Sequence, residues 1–237
     1  MKIINKKQNI NKKISVITCV IPEMIHFSKN MIESGKKLQS GNNKINWYFI
    51  SSKEDIKYIE GFKKLSHCEI NTHPSFNHGS ALNMICNFSF DDDIIVIIDC
   101  DCEFFMKNWD TVIVDNLNKY DIFSVTLSDK DYLRYGDMKR KNPCVYFMSM
   151  KVSDFKKANF DFLPYIIKNK VKIVKNAWCD TGYKINNVIN KYKCMLMENK
   201  SLENGTQEWF YNNCLFAKHV KNGWRIKRRD TKLSEKI

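Results

Sequence analysis

Asp99 and Asp101, separated by one residue, directly follow Ile94-Ile-Val-Ile-Ile98, the most apolar run in the chain. Two carboxylates at D-x-D spacing can turn oxygen ligands together toward a hard divalent cation, Mn2+ or Mg2+, leaving other coordination positions open for phosphate oxygens. Acidic triplets of this kind also arise in ordinary turns, so the spacing gains meaning only from its setting. Here the setting is a strand-length apolar run ending at the acidic pair, and in open α/β sheets ligands collect beyond the carboxyl ends of the strands.

The remaining chain supplies elements able to hold such a strand. Ile14-Ser-Val-Ile-Thr-Cys-Val-Ile21 is a β-branched strand candidate, and Pro22 opens an amphipathic helix through about Leu38. Ile45 to Ile50 reads as a second strand, Lys53 to Leu65 as a helix capped by Ser51-Ser52, and Cys68 to Thr72 as a short third strand. His73 to Gly79 is loop-like, and Ser80 to Phe88 reads as a helix leading to the 94–98 strand. Beyond the acidic pair come a helix at Trp109–Leu117, a strand at Asp121–Leu127 and a long charged loop at Ser128–Asn142. A strand at Cys144–Met150, helices at Lys151–Ala158 and Asp180–Asn190, and a strand at Tyr192–Met197 complete the pattern. Strands alternating with helices predict a mostly parallel, doubly wound α/β sheet with helices on both faces. The 237 residues suit one domain, with a smaller C-terminal part after residue 127.

Composition narrows the setting. No run approaches the about eighteen apolar residues of a membrane span, and the basic, Asn-rich start has no signal-like apolar stretch, so a soluble, cytoplasmic protein is expected. The nine cysteines are odd in number and scattered, with no C-x-x-C pair, which predicts reduced thiols and no zinc knuckle. The net charge of +13 fits an anionic partner, although abundant Lys, Asn and Ile are also what an AT-rich coding sequence produces.

With Asn77-His-Gly-Ser-Ala-Leu-Asn83 ahead of the strand and Phe104, Phe105 and Trp109 after the acidic pair, the stretch Asn77 to Trp109 resembles the GT-A glycosyltransferases, especially those of family 2. In these an N-x-G-x-x-x-N loop precedes a strand ending in an aspartate motif. The resemblance runs from Ile14 to roughly Ile185. It implies a single GT-A, Rossmann-like domain over 1–237, with a nucleotide-sugar-binding half at about 14–127 and an acceptor-side half at about 128–237. It further implies that Thr18, Cys19 and Ile21 lie near the nucleotide, that Ser51, Ser52 and Asp55 approach the base, and that Asn77, Gly79 and Asn83 shape the donor pocket, with His78 placed to meet the donor. Asp99 would contact both donor and metal, Asp101 and His219 would be metal ligands, and Asp180 in Trp178-Cys-Asp-Thr-Gly182 would be the catalytic base of an inverting transfer. As chemistry, a carboxylate there would take the acceptor hydroxyl's proton; the same residue would equally serve as an N-cap. The chain departs from the family pattern at Val20-Ile21-Pro22, where an aromatic residue or Asn is usual, and at Ser51-Ser52, where an acidic pair is usual.

The implied reaction moves a sugar from a nucleotide sugar, a UDP-sugar foremost, to an acceptor hydroxyl. Two acceptors compete. Lys139, Arg140 and Lys141, with Trp224, Arg225, Lys227, Arg228 and Arg229, combine cations with an aromatic ring, suited to phosphate contact and base stacking. They fit DNA carrying hydroxymethylated pyrimidines, as in viral DNA, and then a viral protein acting in the host cytoplasm. A surface glycan or lipid-linked sugar is the commoner employment of the fold, with the charge docking on an anionic membrane. No obligatory protein partner is evident. From other classes, a nucleotidyltransferase would also place acidic residues at a strand end, but no Gly-rich phosphate loop follows the first strand; a noncatalytic nucleic-acid-binding domain lacks any recognisable motif.

Overall fold

The computed structural model describes residues 12–20, 24–51, 63–66, 74–88, 90–126, 142–163, 165–167, 177–179, 185 and 189–220. The first half runs β1 (Lys13–Cys19), α1 (Ile25–Leu38), β2 (Lys44–Ser51), β3 (Lys63–Ser66), α2 (Pro74–Ile85), β4 (Ile94–Ile98), β5 (Cys102–Phe104), α3 (Trp109–Leu117) and β6 (Ile122–Thr126). The second half runs β7 (Pro143–Lys151), α4 (Val152–Ala158), β8 (Tyr165–Ile167), β9 (Ala177–Cys179), β10 (Cys194–Ser201), β11 (Thr206–Tyr211) and β12 (Cys214–Val220).

Ten strands form one sheet in the order β3-β2-β1-β4-β7-β6-β10-β11-β12-β5, and β8 pairs with β9 separately. The expectation of a mostly parallel sheet is corrected. Pairs β3–β2, β2–β1, β1–β4 and β6–β10 are parallel, whereas β4–β7, β7–β6, β10–β11, β11–β12 and β12–β5 are antiparallel. The sheet is therefore mixed. Four consecutive strands of it, β3-β2-β1-β4, run parallel, with α1 as the crossover from β1 to β2 and α2 leading into β4. In the antiparallel part β10–β11 and β11–β12 are hairpins with short turns, whereas β4–β7 and β12–β5 bring together strands distant in the chain.

β4 is apolar at every position because both of its faces are covered. Ile94, Val96 and Ile98 join a core with Met31 and Ile32 of α1 and Trp109, Ile113 and Leu117 of α3. Ile95 and Ile97 join a second core with Ala81, Leu82 and Ile85 of α2 and Val152 and Phe155 of α4. Helices thus cover both faces, as expected. In the first core Trp109 is fully buried, stacks on Phe104 at 4.4 Å and donates from its indole N–H to Gly35 O at 2.9 Å. Gly35 permits this approach, since a Cβ there would meet the Trp47 ring at 2.7 Å. Burying an aromatic side chain of this kind contributes about 1.5–3 kcal/mol.

Several boundaries differ from the sequence reading. The third strand is Lys63–Ser66, inside the end of the expected helix, while the expected strand at 68–72 lies outside the described residues. α2 starts at Pro74, so the expected loop at 73–79 is largely helical. Proline suits the first helical turn, where its missing N–H costs no hydrogen bond, and Ala81, Leu82 and Ile85 anchor the helix through burial despite the low propensities of Asn77 and Gly79. Of the expected helix at 180–190 only residues 185, 189 and 190 are described, the last two in the single 3-10 turn Ile189–Lys191.

The β11–β12 hairpin had no counterpart in the sequence reading. Asn212 (φ 48°) and Asn213 (φ 62°) form its two-residue turn between the paired Tyr211 and Cys214. Both left-handed positions suit asparagine, and such a turn matches the twist of the flanking strands. Among the described residues no helix is long and apolar enough to cross a membrane.

Candidate metal and donor site

β4 ends at Ile98, and the chain reverses at once: Asp99 N donates to Tyr146 O of β7 at 3.0 Å, and Cys102 N donates to Asp99 O at 3.3 Å. This turn projects Asp99 and Asp101 from the carboxyl edge of the parallel strands. β5 then pairs antiparallel with β12, setting Cys102 opposite His219, and Val220 N donates to Asp101 O at 3.0 Å. The pairing carries a residue from the far end of the chain onto the acidic turn.

His219 Nε2 lies 3.1 Å from Asp101 Oδ1 and 3.4 Å from Asp99 Oδ2, and His78 Nε2 lies 3.8 Å from Asp99 Oδ1. His219 and Asp101 are buried, while Asp99 is partly open. Burial pulls the His219 pKa down, but the charge of Asp101 and hydrogen bonds to Asp101 and Asp99 outweigh it and raise it to about 10. The pocket favours a positive charge at Nε2. The His219 ring lies against Tyr146 (5.0 Å between centroids) and Trp209 (5.7 Å).

The donor set fits a divalent ion. The imidazole of His219 lies within 3.4 Å of an oxygen of each carboxylate, the mixture of hard oxygen and intermediate nitrogen ligands that Mn2+ accepts. Asp101, Cys102 and His219 also lie with their ligand atoms within 4.8 Å of one another. Cys102 is buried, and its thiol is pushed well up by burial and then by Asp101 and Asp99, as is that of Cys100. Both act here as neutral, packed thiols. The described cysteines carry no disulfide; Cys100, Cys102 and Cys144 are buried and Cys214 is exposed.

The other residues named from the sequence have differing surroundings. Cys19 is beside the site, its thiol raised by burial and then by Asp99. Thr18 is buried on the same strand, with its hydroxyl unpartnered. Three others serve packing in this structure. Ser51 donates from Oγ to Val20 O at 2.9 Å, tying together the ends of β1 and β2. Asn83 donates to Asp161 Oδ1 at 3.0 Å and accepts from Phe162 N at 2.7 Å. Gly79 leaves room for the same segment, since a Cβ there would sit 2.7 Å from Phe162 O. Asn77 lies on α2 one residue before His78. Ile21, Ser52, Asp55, Lys139, Arg140, Lys141, Asp180, Trp224, Arg225, Lys227, Arg228 and Arg229 lie outside the described residues.

Tyr146 and Gln207 were missed by the sequence reading. Tyr146 is paired into β7 next to the end of β4, and Gln207 stands opposite His219 in the β11–β12 ladder. The available signal for Gln207 was the alternation along Thr206–Tyr211, which buries Gln207 and Trp209 on one face.

No family model matches the sequence, and no curated protein matches it. Among solved structures the chain is similar to the galactosyltransferase LgtC in complex with donor and acceptor sugar analogs, at 8% identity and a TM-score of 0.44, over 60% of this chain and 59% of that one. An active-site mutant of LgtC gives the same values. The chain is also similar to the apo structure of the bifunctional glycosyltransferase WbbM, at 12% identity and a TM-score of 0.42, over 62% of this chain and 34% of that one. It thus spans 59% of LgtC and 34% of WbbM.

Proposed function

We propose that the chain is a divalent-metal-dependent GT-A glycosyltransferase of family 2 type that moves a sugar from a nucleotide sugar, a UDP-sugar foremost, to an acceptor hydroxyl. The observation that carries this reading is the convergence of Asp99, Asp101 and His219 at the carboxyl end of β4. Asp101 and His219 would hold Mn2+ from the buried side, and Asp99, partly open, would face both the ion and the donor. When bound, the ion supplies charge stabilisation for the departing diphosphate. His78, on α2, lies near Oδ1 of Asp99 while His219 lies near Oδ2, and it would donate to a phosphate or sugar oxygen. Asp180, following β9, would take the acceptor hydroxyl's proton in an inverting transfer.

For the acceptor we propose DNA bearing a hydroxymethylated pyrimidine. Support comes from the net charge of +13 and from the cationic clusters at 139–141 and 225–229, the second directly preceded by Trp224. His219, which precedes that second cluster in sequence, is buried beside Asp99 and Asp101 and would serve the metal rather than the acceptor. The test is transfer from a panel of radiolabelled nucleotide sugars with Mn2+, offering duplex DNA containing 5-hydroxymethylpyrimidines beside lipid-linked and free glycans. Label on the DNA supports the proposal in full. Label on glycans alone overturns the DNA acceptor and keeps the transferase, and no turnover of any donor with metal overturns both.

A further inference from the structure

Gln207 is completely buried at the second position of β11, directly opposite His219 of β12, and its Oε1 lies 3.3 Å from His219 Nδ1. A second amide leads to it: Asn199 of β10 donates from Nδ2 to Thr126 O at 2.9 Å and reaches Gln207 Oε1 at 3.5 Å. The direction of this chain is set at its far end. A backbone carbonyl can only accept, so Thr126 O fixes which side of the Asn199 amide carries the NH2. The second Asn199 N–H then faces Gln207, which must present its oxygen there. An oxygen can only accept in turn, so His219 meets it with Nδ1–H, and Nε2 is the nitrogen left to face Asp99 and Asp101.

We infer that Gln207 is a positioning residue that holds His219 with its proton on Nδ1 and its Nε2 aimed at the Asp99–Asp101 turn, and thereby sets the affinity of the site for a divalent ion. This rests on the metal-binding reading of that turn. Imidazole ligands commonly have their second nitrogen fixed by an acceptor, which settles both the tautomer and the ring orientation. Here three neighbouring strands deliver the parts: the ligand from β12, its acceptor from β11, and the amide that orients the acceptor from β10.

The experiment is Mn2+ binding to the purified, metal-free chain, followed by loss of the free-ion EPR signal, in wild type, Gln207→Leu and Gln207→Glu, with circular dichroism confirming the fold of each. Leucine keeps much of the volume and removes the acceptor; glutamate keeps an acceptor oxygen. The inference expects the Mn2+ Kd to rise about 10–100-fold in Gln207→Leu and to stay near the wild-type value in Gln207→Glu. Wild-type binding that is unchanged in a folded Gln207→Leu would overturn the role of Gln207 and leave the metal site standing. Equal losses in both variants would reduce Gln207 to packing, and should Gln207→Leu not fold, a loss in Gln207→Glu overturns the inference by itself. A wild type that does not bind Mn2+ removes the metal reading and this inference with it.

Discussion

Two acidic runs flank β4, and they meet opposite surroundings. At its amino end, Asp92 accepts hydrogen bonds from Ser15 Oγ and from Asn46 Nδ2 (2.9 and 3.1 Å), and Asp93 accepts from Lys13 N at 2.9 Å while Lys12 Nζ lies at 3.5 Å. These neutral donors and one lysine tie the starts of β1, β2 and β4 together. At its carboxyl end, Asp99 and Asp101 meet imidazoles, His219 between them and His78 beside Asp99. Imidazole is a donor that can exchange its proton for a metal, whereas a serine hydroxyl or an asparagine amide serves the carboxylate as it stands. The density of acidic residues is therefore a poor marker of a site in this chain; the identity of the partners separates a structural clasp from a candidate ligand set. Asp110 repeats the lesson: fully buried, it is satisfied by Ser40 N, Ser40 Oγ and Asn43 Nδ2, and it fastens the α1–β2 connection to α3.

Substitutions at the two ends should separate them. Asp101→Asn should give the largest effect, a loss of metal-dependent transfer of about a thousandfold, corresponding to about 4 kcal/mol of transition-state stabilisation, with thermal unfolding little changed; initial-rate assays with Mn2+ measure it. Asp180→Asn should lower turnover about a hundredfold or more while donor binding persists, and comparing single-turnover rates with donor titration checks this; an unchanged rate would return Asp180 to capping a helix. His78→Ala should weaken donor binding about tenfold, the loss of one hydrogen bond to a charged group, and leave Mn2+ binding near wild type. At the amino end, Asp92→Asn should lower stability by about 1–3 kcal/mol with no change in metal affinity, as read by denaturant unfolding and an Mn2+ titration. A fall in metal affinity for Asp92→Asn equal to that of Asp101→Asn would erase the distinction between the two ends.

The carboxyl end was legible in the sequence where one strand carried all the information. Ile94–Ile98 is apolar throughout because two helical layers cover it, and the D-x-D pair follows without interruption. His219 was reached only through the family resemblance, since nothing local to the basic segment after Phe216 distinguishes a buried histidine from a solvated one. What brings it to Asp101 is the β5–β12 pairing, a contact between distant segments in which β5 is three residues long, too short for periodicity to declare it. Gln207 was hidden for the same reason, as its role exists only across the β11–β12 ladder. The opening of α2 was hidden by its composition: Pro74, Asn77 and Gly79 read as a loop, and tertiary burial of the next turns overrode that preference.

The most direct measurement of the central claim is the rate of nucleotide-sugar turnover by the wild-type chain before chelation, after removal of divalent ions with EDTA, and after Mn2+ is restored, alongside Asp101→Asn. Convergence of Asp99, Asp101 and His219 on one ion predicts turnover that stops on chelation, returns with Mn2+, and fails to return in Asp101→Asn. Turnover that continues in EDTA, or that Mn2+ restores equally in Asp101→Asn, would contradict it.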